Sequence, residues 1–303
     1  MTSELAAAVV GATASGKSAL AHAVALESGG VVEVLCVDAM TVYRGMDLAT
    51  AKPTRAERAQ VRYHLLDVVD VNEEYSVEAF QRQAREVARD VWSRGHRVLY
   101  VGGTGLYGRA VIDDLDIPGR YTLVREKLEE RAAVDLAGLY DELVRLDPVA
   151  ASRMEPTNER RIVRALEVTL GAGRPFSSYG EGLVTYASSS VSQVGLRVAR
   201  AELDARVERR FREWLDQGLL DEVRALAQRP GGLSKTARQA VGYRQLLAHL
   251  EGGADFESCV EEAITQSRRL ARRQCSWFER DPRVEWFDDV LGAKARIQSL
   301  LGL

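Results

Sequence analysis

Cysteine is scarce in this chain of 303 residues. It occurs only at Cys36, Cys259 and Cys275, an odd number of widely separated positions without C-x-x-C spacing. This set predicts neither a disulfide framework nor a zinc site, because the first uses paired cysteines and the second short C-x-x-C spacings. Free thiols persist in a reducing compartment, so we expect a cytoplasmic protein.

Long apolar runs are also missing. Mean hydropathy is −0.19, and no stretch approaches the ~20 apolar residues that a membrane-spanning helix needs. The apolar run from Leu5 to Val10 follows no basic leader and passes directly into a glycine-rich motif. That is not the pattern of a signal peptide. We therefore expect no membrane partner.

The chain has no strong net charge, with a formal charge of −3 and a pI of about 6.0. A nucleic-acid-binding protein with this balance must concentrate its positive charge locally. Residues 268–283 hold six arginines against two acidic residues, and a second basic group lies at Arg160, Arg161 and Arg164. Each group fits either a solvated helix face or phosphate contacts to a nucleic-acid backbone.

The most informative motif in the chain is Gly11-Ala12-Thr13-Ala14-Ser15-Gly16-Lys17-Ser18. It fits the phosphate-binding loop pattern G-x-x-x-x-G-K-[ST] without a mismatch, between an apolar run and a helical pattern. The glycines let successive backbone N–H groups face a pyrophosphate at the positive end of the helix. Lys17 adds a positive charge, and the Ser18 hydroxyl can join the ligand shell of Mg²⁺. The sequence therefore predicts a pyrophosphate site.

Two predicted strands end in further candidates. Val31 to Val37 predicts a buried strand that ends at Asp38, and the carboxyl ends of parallel strands meet at one ligand crevice. Asp38 is therefore either a site residue or a helix N-cap. Arg97 to Val101 predicts a strand that ends in Gly102-Gly103-Thr104-Gly105 and lacks the magnesium-binding aspartate of a nucleotide hydrolase. We expect the pyrophosphate site to serve a reaction other than hydrolysis.

The element pattern predicts an α/β fold, a P-loop NTPase-like doubly wound parallel sheet with a helical insertion domain and a helical C-terminal part. We place the first part of the core at 1–117, the insertion at 118–192 and the second part of the core at 193–303. Periodicity predicts further strands at 63–69 and 193–198, and helices up to the C-terminal end, at 76–92, 123–132, 136–146, 159–170, 202–216, 219–227, 235–250 and 256–279. His64 is expected to be structural.

The order of several short motifs along the chain is informative. They are the phosphate-binding loop, VDAMTVYRGMDLATAKP at 37–53, HLLD at 64–67, Tyr75-Ser76, GGTGLY at 102–107, and the segments 160–173, 203–211, 241–245 (VGYRQ) and 272–278. In this order they resemble the tRNA dimethylallyltransferases, also called tRNA isopentenyltransferases. The resemblance covers most of the chain.

The resemblance implies transfer of a dimethylallyl group from dimethylallyl diphosphate to N6 of the adenosine 3′-adjacent to the anticodon of tRNAs. It implies Asp38 as the general base, with Thr104 as a second catalytic residue that helps to hold the amino group. Mg²⁺ is the implied cofactor, held through Ser18. The implied diphosphate-binding residues are Gly11, Thr13, Ala14, Ser15, Gly16, Lys17, Ser18 and Arg206.

The resemblance also implies the anticodon stem-loop of a tRNA as partner, bound by a monomer. The implied tRNA-binding residues are Asp38, Ala39, Met40, Thr41, Thr104, Arg125, Arg160, Arg161, Arg164, Gln239, Gly242, Tyr243, Arg244, Arg272, Arg273 and Gln274. Two positions depart from the family pattern, since serine is common at Ala39 and glutamine or leucine at Thr41. We expect catalysis to persist and leave the preference for neighbouring nucleotides open.

Three other functions fit a chain with this loop. An adenylate isopentenyltransferase would act on free nucleotides. A small-molecule kinase would need lid arginines, which the segment 118–192 could supply. A non-catalytic RNA-binding module could be gated by a nucleotide. Dimethylallyl diphosphate and ATP, compared as stabilising ligands, distinguish the transferase from the kinase.

Overall fold

A computed structural model describes residues 4–180 and 185–303. The chain divides into two compact units. Unit 1 comprises Met1–Asp113 and Ser188–Leu303, and unit 2 comprises Asp114–Ala187. Unit 2 begins and ends a few residues before the insertion placed at 118–192 from the sequence, because the residues from Ser188 onward lead into a strand of unit 1.

Unit 1 is built on a parallel sheet with the strand order β3-β2-β4-β1-β5-β6 in the described residues. The strands are β1 (Ala6–Val10), β2 (Val32–Cys36), β3 (Tyr63–His64), β4 (Arg97–Gly102), β5 (Ser192–Leu196) and β6 (Val284–Phe287). Alternate residues of β1 face opposite sides, so Ala7 and Val9 join one core cluster and Ala8 and Val10 the other. Because both faces are covered, β1 and residues 98–101 of β4 are continuously apolar in sequence.

Helices cover both faces of the sheet. In chain order they are α1 (Lys17–Glu27), α2 (Arg55–Gln60), α3 (Val77–Ser93), α4 (Gly105–Ile112), α5 (Thr122–Ala132), α6 (Leu136–Leu146), α7 (Pro148–Ala151), α8 (Glu159–Ala172), α9 (Arg200–Asp216), α10 (Leu219–Ala227), α11 (Tyr243–Leu250), α12 (Phe256–Glu279) and α13 (Val290–Leu300). In unit 1, α1 and α13 pack on one face, while α3, α4 and α9 to α12 pack on the other. None of the described helices is long and apolar enough to cross a membrane.

Unit 2 consists of α5 to α8, packed around its own apolar cluster. Two buried carboxylates organise it. Glu167 accepts hydrogen bonds from the Tyr121 backbone N–H, at 2.9 Å, and from Arg125 and Arg164. Asp147 begins α7, where it accepts from the backbone N–H of Ala150 at 2.9 Å. Each carboxylate is buried with its hydrogen bonds satisfied, as a buried charge requires.

Most of the predicted elements are confirmed, and the strands at 5–10, 31–37, 97–101 and 193–198 lie within two residues of the observed ones. His64 is structural, because its Nε2 lies 2.6 Å from the buried Glu33 carboxylate. The predicted helices 219–227 and 256–279 have the observed bounds. The apolar periods therefore located the long elements.

Three predictions about elements are wrong. The strand at 63–69 stops after His64, because Leu65 and Asp67 adopt positive φ angles of 63° and 54°. The helix at 235–250 begins only at Tyr243, since Gly242 has a φ of 92°. The C-terminal part is not purely helical, because Val284–Phe287 adds strand β6 to the sheet edge.

Candidate active site

The phosphate-binding loop lies between β1 and α1. Gly16 precedes α1 in a left-handed conformation with a φ of 98°, which a residue with a side chain rarely adopts. The first turn of α1 contains no acidic residue and no side-chain cap. Its positive end therefore faces the loop without a neutralising side chain. Ser15 is buried, and its hydroxyl has no hydrogen-bond partner among the described residues.

Lys17 is the first residue of α1. Its ammonium donates to the carbonyl oxygen of Ala12 in the loop, at 3.1 Å. Burial and, to a smaller extent, the Arg210 charge lower the pKa of Lys17 to about 8, although Asp38 acts in the opposite direction. A cation with a lowered pKa beside a second cation is poised to gain from an anionic ligand.

Asp38 follows β2 and is held by both of its oxygens. Oδ1 accepts from the backbone N–H groups of Met40, at 2.8 Å, and Thr41, at 3.4 Å. Oδ2 accepts from the Thr104 hydroxyl at 3.0 Å, and that hydroxyl accepts from the Ala39 N–H at 3.3 Å. Residues 39–46 form turns, so Asp38 caps a turn and not a helix. The two predicted catalytic residues are in direct contact.

Two glycines explain how Thr104 reaches Asp38. A Cβ on Gly102 would overlap the backbone carbonyl of Val37, the residue before Asp38. A Cβ on Gly105 would overlap the Trp277 ring of α12. The backbone therefore passes close to the end of β2 at Gly102 and close to α12 at Gly105. Thr104 lies between these glycines, and its hydroxyl contacts the Asp38 carboxylate.

Two side chains from later helices contact the phosphate-binding loop at Thr13. Gln274 of α12 accepts from the Thr13 backbone N–H at 2.7 Å, although the sequence places Gln274 among the tRNA-binding residues. Arg210 of α9 donates to the Thr13 hydroxyl. Its guanidinium lies 4.7 Å from the centre of the Trp214 ring, and its buried Nε has no partner among the described residues. Burial lowers the pKa of Arg210 to about 10.

Arg210 contacts the phosphate-binding loop, although sequence reasoning did not single it out. The sequence assigns the diphosphate-binding arginine of α9 to Arg206, but Arg206 pairs with Glu202 on its own helix, at 2.5 Å. Arg210 lies one turn further along α9 and contacts the loop. The helical spacing of four residues, with Trp214 four residues beyond, was the available signal.

The residues predicted to bind tRNA fall into two groups. Some are exposed and have no ion pair within the described part of the chain, namely Arg160, Arg161, Gln239, Arg244 and Arg273. Arg272 is exposed and lies 3.5 Å from Asp204. Arg125 and Arg164 instead pair with the buried Glu167, and Arg164 also donates to the carbonyls of Pro118 and Gly119. These two arginines stabilise unit 2.

Gly242, Tyr243 and Thr41 are buried, unlike the exposed arginines. The Tyr243 hydroxyl donates to Glu222 at 2.5 Å, so its ring belongs to the core and not to a free surface. The Thr41 hydroxyl has no partner among the described residues, next to Asp38.

The residues around the phosphate-binding loop fit a metal site in which the protein supplies few of the ligands. No group of three or more His, Cys, Asp or Glu in the described residues is placed to hold a metal ion. Ser18, in the first turn of α1, is exposed, and its hydroxyl makes no hydrogen bond within 4–180 and 185–303. A single protein hydroxyl is enough for a Mg²⁺ ion whose other oxygen ligands come from substrate phosphates and water.

The chain is similar to known proteins along most of its length. The family model described as IPP transferase matches residues 41–281. The chain is 45% identical over 282 residues to a tRNA dimethylallyltransferase of Bifidobacterium animalis subsp. lactis, covering 92% of this chain and 80% of that protein. It is 47% identical over 305 residues to one of Kineococcus radiotolerans, covering 97% and 95%.

Solved structures show the same similarity. A full-length tRNA isopentenylpyrophosphate transferase from Bacillus halodurans matches with a TM-score of 0.71 and 33% identity, over 99% of this chain and 97% of that one. A eukaryotic dimethylallyltransferase, described as acting on tRNA, matches with a TM-score of 0.78 and 25% identity, over 95% and 75%. With its P-loop-like parallel sheet and this degree of identity along its length, the chain belongs to the IPP transferase family and is a transferase.

Proposed function

We propose that this protein transfers a dimethylallyl group from dimethylallyl diphosphate to N6 of the adenosine 3′-adjacent to the anticodon of a tRNA. The observation that carries the proposal is the pairing of Asp38 with Thr104 at the strand ends beside the phosphate-binding loop. A hydrolase needs a water-activating group and a metal-binding aspartate at such a strand end. Here a carboxylate and a hydroxyl face a nucleophile that must lose a proton.

The diphosphate is assigned to the phosphate-binding loop. Lys17 and Arg210 both carry positive charge at this loop, where burial and the Arg210 charge lower the pKa of Lys17 in the absence of an anion. Charge on the diphosphate grows as its bond to carbon breaks, so these cations stabilise the transition state more than the ground state. When bound through Ser18, Mg²⁺ would neutralise part of the same charge.

The prenyl chain needs an apolar seat near the acceptor nitrogen. A small, mostly apolar cavity adjoins Thr104. It is lined by Ala8, Val9, Val10, Val37, Tyr100, Gly102, Thr104, Gly108, Ile112 and Phe278. With a volume of about 10 Å³ it holds no more than one water molecule, so it is too small for the five-carbon dimethylallyl group, and we do not assign the group to it.

Proton transfer then balances the reaction. The N6 nitrogen forms a bond to the first carbon of the dimethylallyl group, and the bond from that carbon to the diphosphate oxygen breaks. The nitrogen gives up one proton, which Asp38 accepts through the oxygen that now receives the Thr104 hydrogen bond. Thr104 in turn can accept from the second N6 hydrogen, which orients the amino group.

The acceptor is assigned to folded RNA because several exposed arginines are free for phosphate contacts. Arg244, Arg272 and Arg273 in unit 1 and Arg160 and Arg161 in unit 2 are exposed. Single phosphate contacts are weak in water, so binding of a stem-loop needs several of them. An enzyme for free nucleotides would gain nothing from this set.

The test compares an anticodon stem-loop with AMP at equal concentration, with dimethylallyl diphosphate and Mg²⁺ present and the nucleosides analysed by mass spectrometry. We expect prenyladenosine from the stem-loop alone. Binding should weaken with salt, with a log–log slope of magnitude about 0.7–0.9 per contact. Arg272→Ala with Arg273→Ala should flatten that slope, whereas Arg89→Ala, at an exposed position of α3, should not. Equal rates on both acceptors would favour a nucleotide transferase, and turnover of ATP a kinase.

A further inference from the structure

The loop that follows Asp38 has an anchor outside the residues assigned so far. We call residues 38–52 the catalytic loop. Val42, Tyr43 and Met46 in it are fully buried and fix one side. On the other side, Glu222 of α10 accepts from the backbone N–H of Asp47 through Oε1, at 3.1 Å, and from that of Leu48 through Oε2, at 3.1 Å.

The same carboxylate contacts a second segment. Glu222 Oε1 accepts from the Tyr243 hydroxyl at the start of α11, at 2.5 Å. Gly242, the residue before Tyr243, lies close to the catalytic loop, because a Cβ on Gly242 would lie 3.3 Å from the Ala49 Cβ. Burial raises the pKa of the Glu222 carboxyl, and hydrogen bonds from Tyr243, Leu48 and Asp47 partly offset that rise. One carboxylate thus holds two chain segments in register.

We propose that Glu222 is a positioning residue for the prenyl transfer, which fixes the catalytic loop against the start of α11 and so sets where Asp38 meets the acceptor adenosine. The inference rests on the proposed function, since the catalytic loop carries the base and α11 carries the exposed Arg244. Glu222 touches neither substrate in this scheme. Its effect is on the geometry in which the adenosine is presented, where an error of about 1 Å costs on the order of 10²-fold in rate.

The chemistry of the carboxylate is essential to this role. Two oxygens accept from three donors, namely two backbone N–H groups and one hydroxyl. Glutamine has the same shape but offers one acceptor oxygen and one donor NH₂, so at least one N–H of the loop would face another donor. An unsatisfied donor at this half-buried position shifts the loop or leaves it mobile.

The catalytic loop stays folded without Glu222 because a separate anchor holds it. The buried Lys52 ammonium donates to the carbonyl of Tyr43 at 2.6 Å, to Asp47 at 2.8 Å and to Asp67 at 2.6 Å. Removing Glu222 therefore leaves the core side chains and the Lys52 contacts in place. A change in activity can then be separated from unfolding.

The experiment measures steady-state kinetics of Glu222→Gln with an anticodon stem-loop and dimethylallyl diphosphate. We expect kcat/KM for the stem-loop to fall about 10–100-fold, with KM for dimethylallyl diphosphate within about twofold of the wild-type value. The matched control is Asp221→Asn, the preceding residue, which is exposed and pairs with Arg224 on the same helix. It should retain wild-type kinetics.

A second variant keeps the test decisive if Glu222→Gln is unstable. Tyr243→Phe removes one donor and leaves both backbone contacts, so it should give a smaller loss in kcat/KM for the stem-loop. In the double variant the two losses should not add, because the residues share one hydrogen bond. Wild-type kinetics in Glu222→Gln would overturn the proposal. So would equal losses in kcat/KM for both substrates that accompany a lower melting temperature. An inactive wild-type enzyme would instead refute the proposed function.

Discussion

Binding of dimethylallyl diphosphate should depend on pH through Lys17. Its pKa is lowered from the ordinary value of 10.5 to about 8 by burial and by the Arg210 charge. A bound diphosphate places negative charge beside the ammonium and restores the higher pKa. Binding of the anion therefore takes up a proton wherever Lys17 is neutral in the free protein, which is above about pH 8.

The magnitude follows from the two pKa values. Their difference is worth about 3 kcal/mol at about 1.4 kcal/mol per pH unit. If the diphosphate restores the ordinary value, the protonated enzyme binds it about 300-fold more tightly than the deprotonated enzyme. Between about pH 8 and pH 10 the dissociation constant should then rise about tenfold per pH unit.

Calorimetric titration of the enzyme with dimethylallyl diphosphate from pH 7.5 to pH 9.5, at constant Mg²⁺, measures this slope. The terminal phosphate is already ionised in that range, since phosphate groups of this kind have a pKa of about 6. Lys17→Arg is the control, because a guanidinium stays protonated throughout. It should bind more weakly and show no slope. A flat wild-type profile, or the same slope in Lys17→Arg, would refute the reasoning.

The lowered pKa of Lys17 should also affect the stability of the ligand-free protein. Folding lowers the pKa of a cation here, so the charged Lys17 costs stability below about pH 8, and the cost fades as the pH rises towards 10.5. Lys17→Met should therefore raise the melting temperature of the ligand-free protein at pH 7. The gain should shrink at pH 10.

Three further outcomes are expected. Asp38→Asn, which keeps the shape but cannot accept the proton, should lower turnover about 10²–10⁴-fold in single-turnover assays while stem-loop binding survives, and more than a tenth of the wild-type rate would speak against Asp38 as base. Arg210→Ala should lower kcat as well as weaken diphosphate binding, whereas Arg206→Ala, paired with Glu202, should change either by less than about threefold. Glu33→Gln should cost about 3 kcal/mol at pH 7 in denaturant unfolding, because burial raises the pKa of Glu33 but hydrogen bonds from Arg94, His64 and His96 outweigh it and lower it to about 2. In the wild type that stability should be present above about pH 4.5 and be lost as the pH falls towards 2; a stability unchanged from pH 5 to pH 3 would contradict it.

Local patterns in the sequence were enough to locate the phosphate-binding loop and Asp38. Each is fixed by chain neighbours, since Gly16 must adopt a positive φ before α1 and Asp38 must follow a buried strand. The resemblance placed Asp38 and Thr104 at the same amino group but did not predict their direct contact. That contact depends on the close approach of the backbone at Gly102 to Val37, which a sequence pattern alone does not reveal.

Long-range contacts were beyond the sequence. Gln274 and Arg210 reach Thr13 across 261 and 197 residues, and each belongs to a charged helix whose sequence does not show which side chains face the phosphate-binding loop. The burial of Tyr243 was not predicted for a related reason, because its partner Glu222 lies on another helix. Rotation of a helix about its axis is set by the whole core, so the four-residue spacing places Arg206, Arg210 and Trp214 on one face of α9 without showing which arginine contacts the phosphate-binding loop.

The site also shows why a phosphate-binding loop here serves carbon transfer. In a phosphoryl-transfer enzyme, a carboxylate at a neighbouring strand end holds the metal against the phosphates. The end of β4 has Gly102 and Gly103 instead, and this absence of side chains lets Thr104 approach the end of β2. The carboxylate at that end, Asp38, is already bound to a hydroxyl and two backbone N–H groups. In the proposed reaction, its remaining acceptor capacity would take a proton of the incoming nucleophile, and the phosphate-binding loop would hold the departing diphosphate.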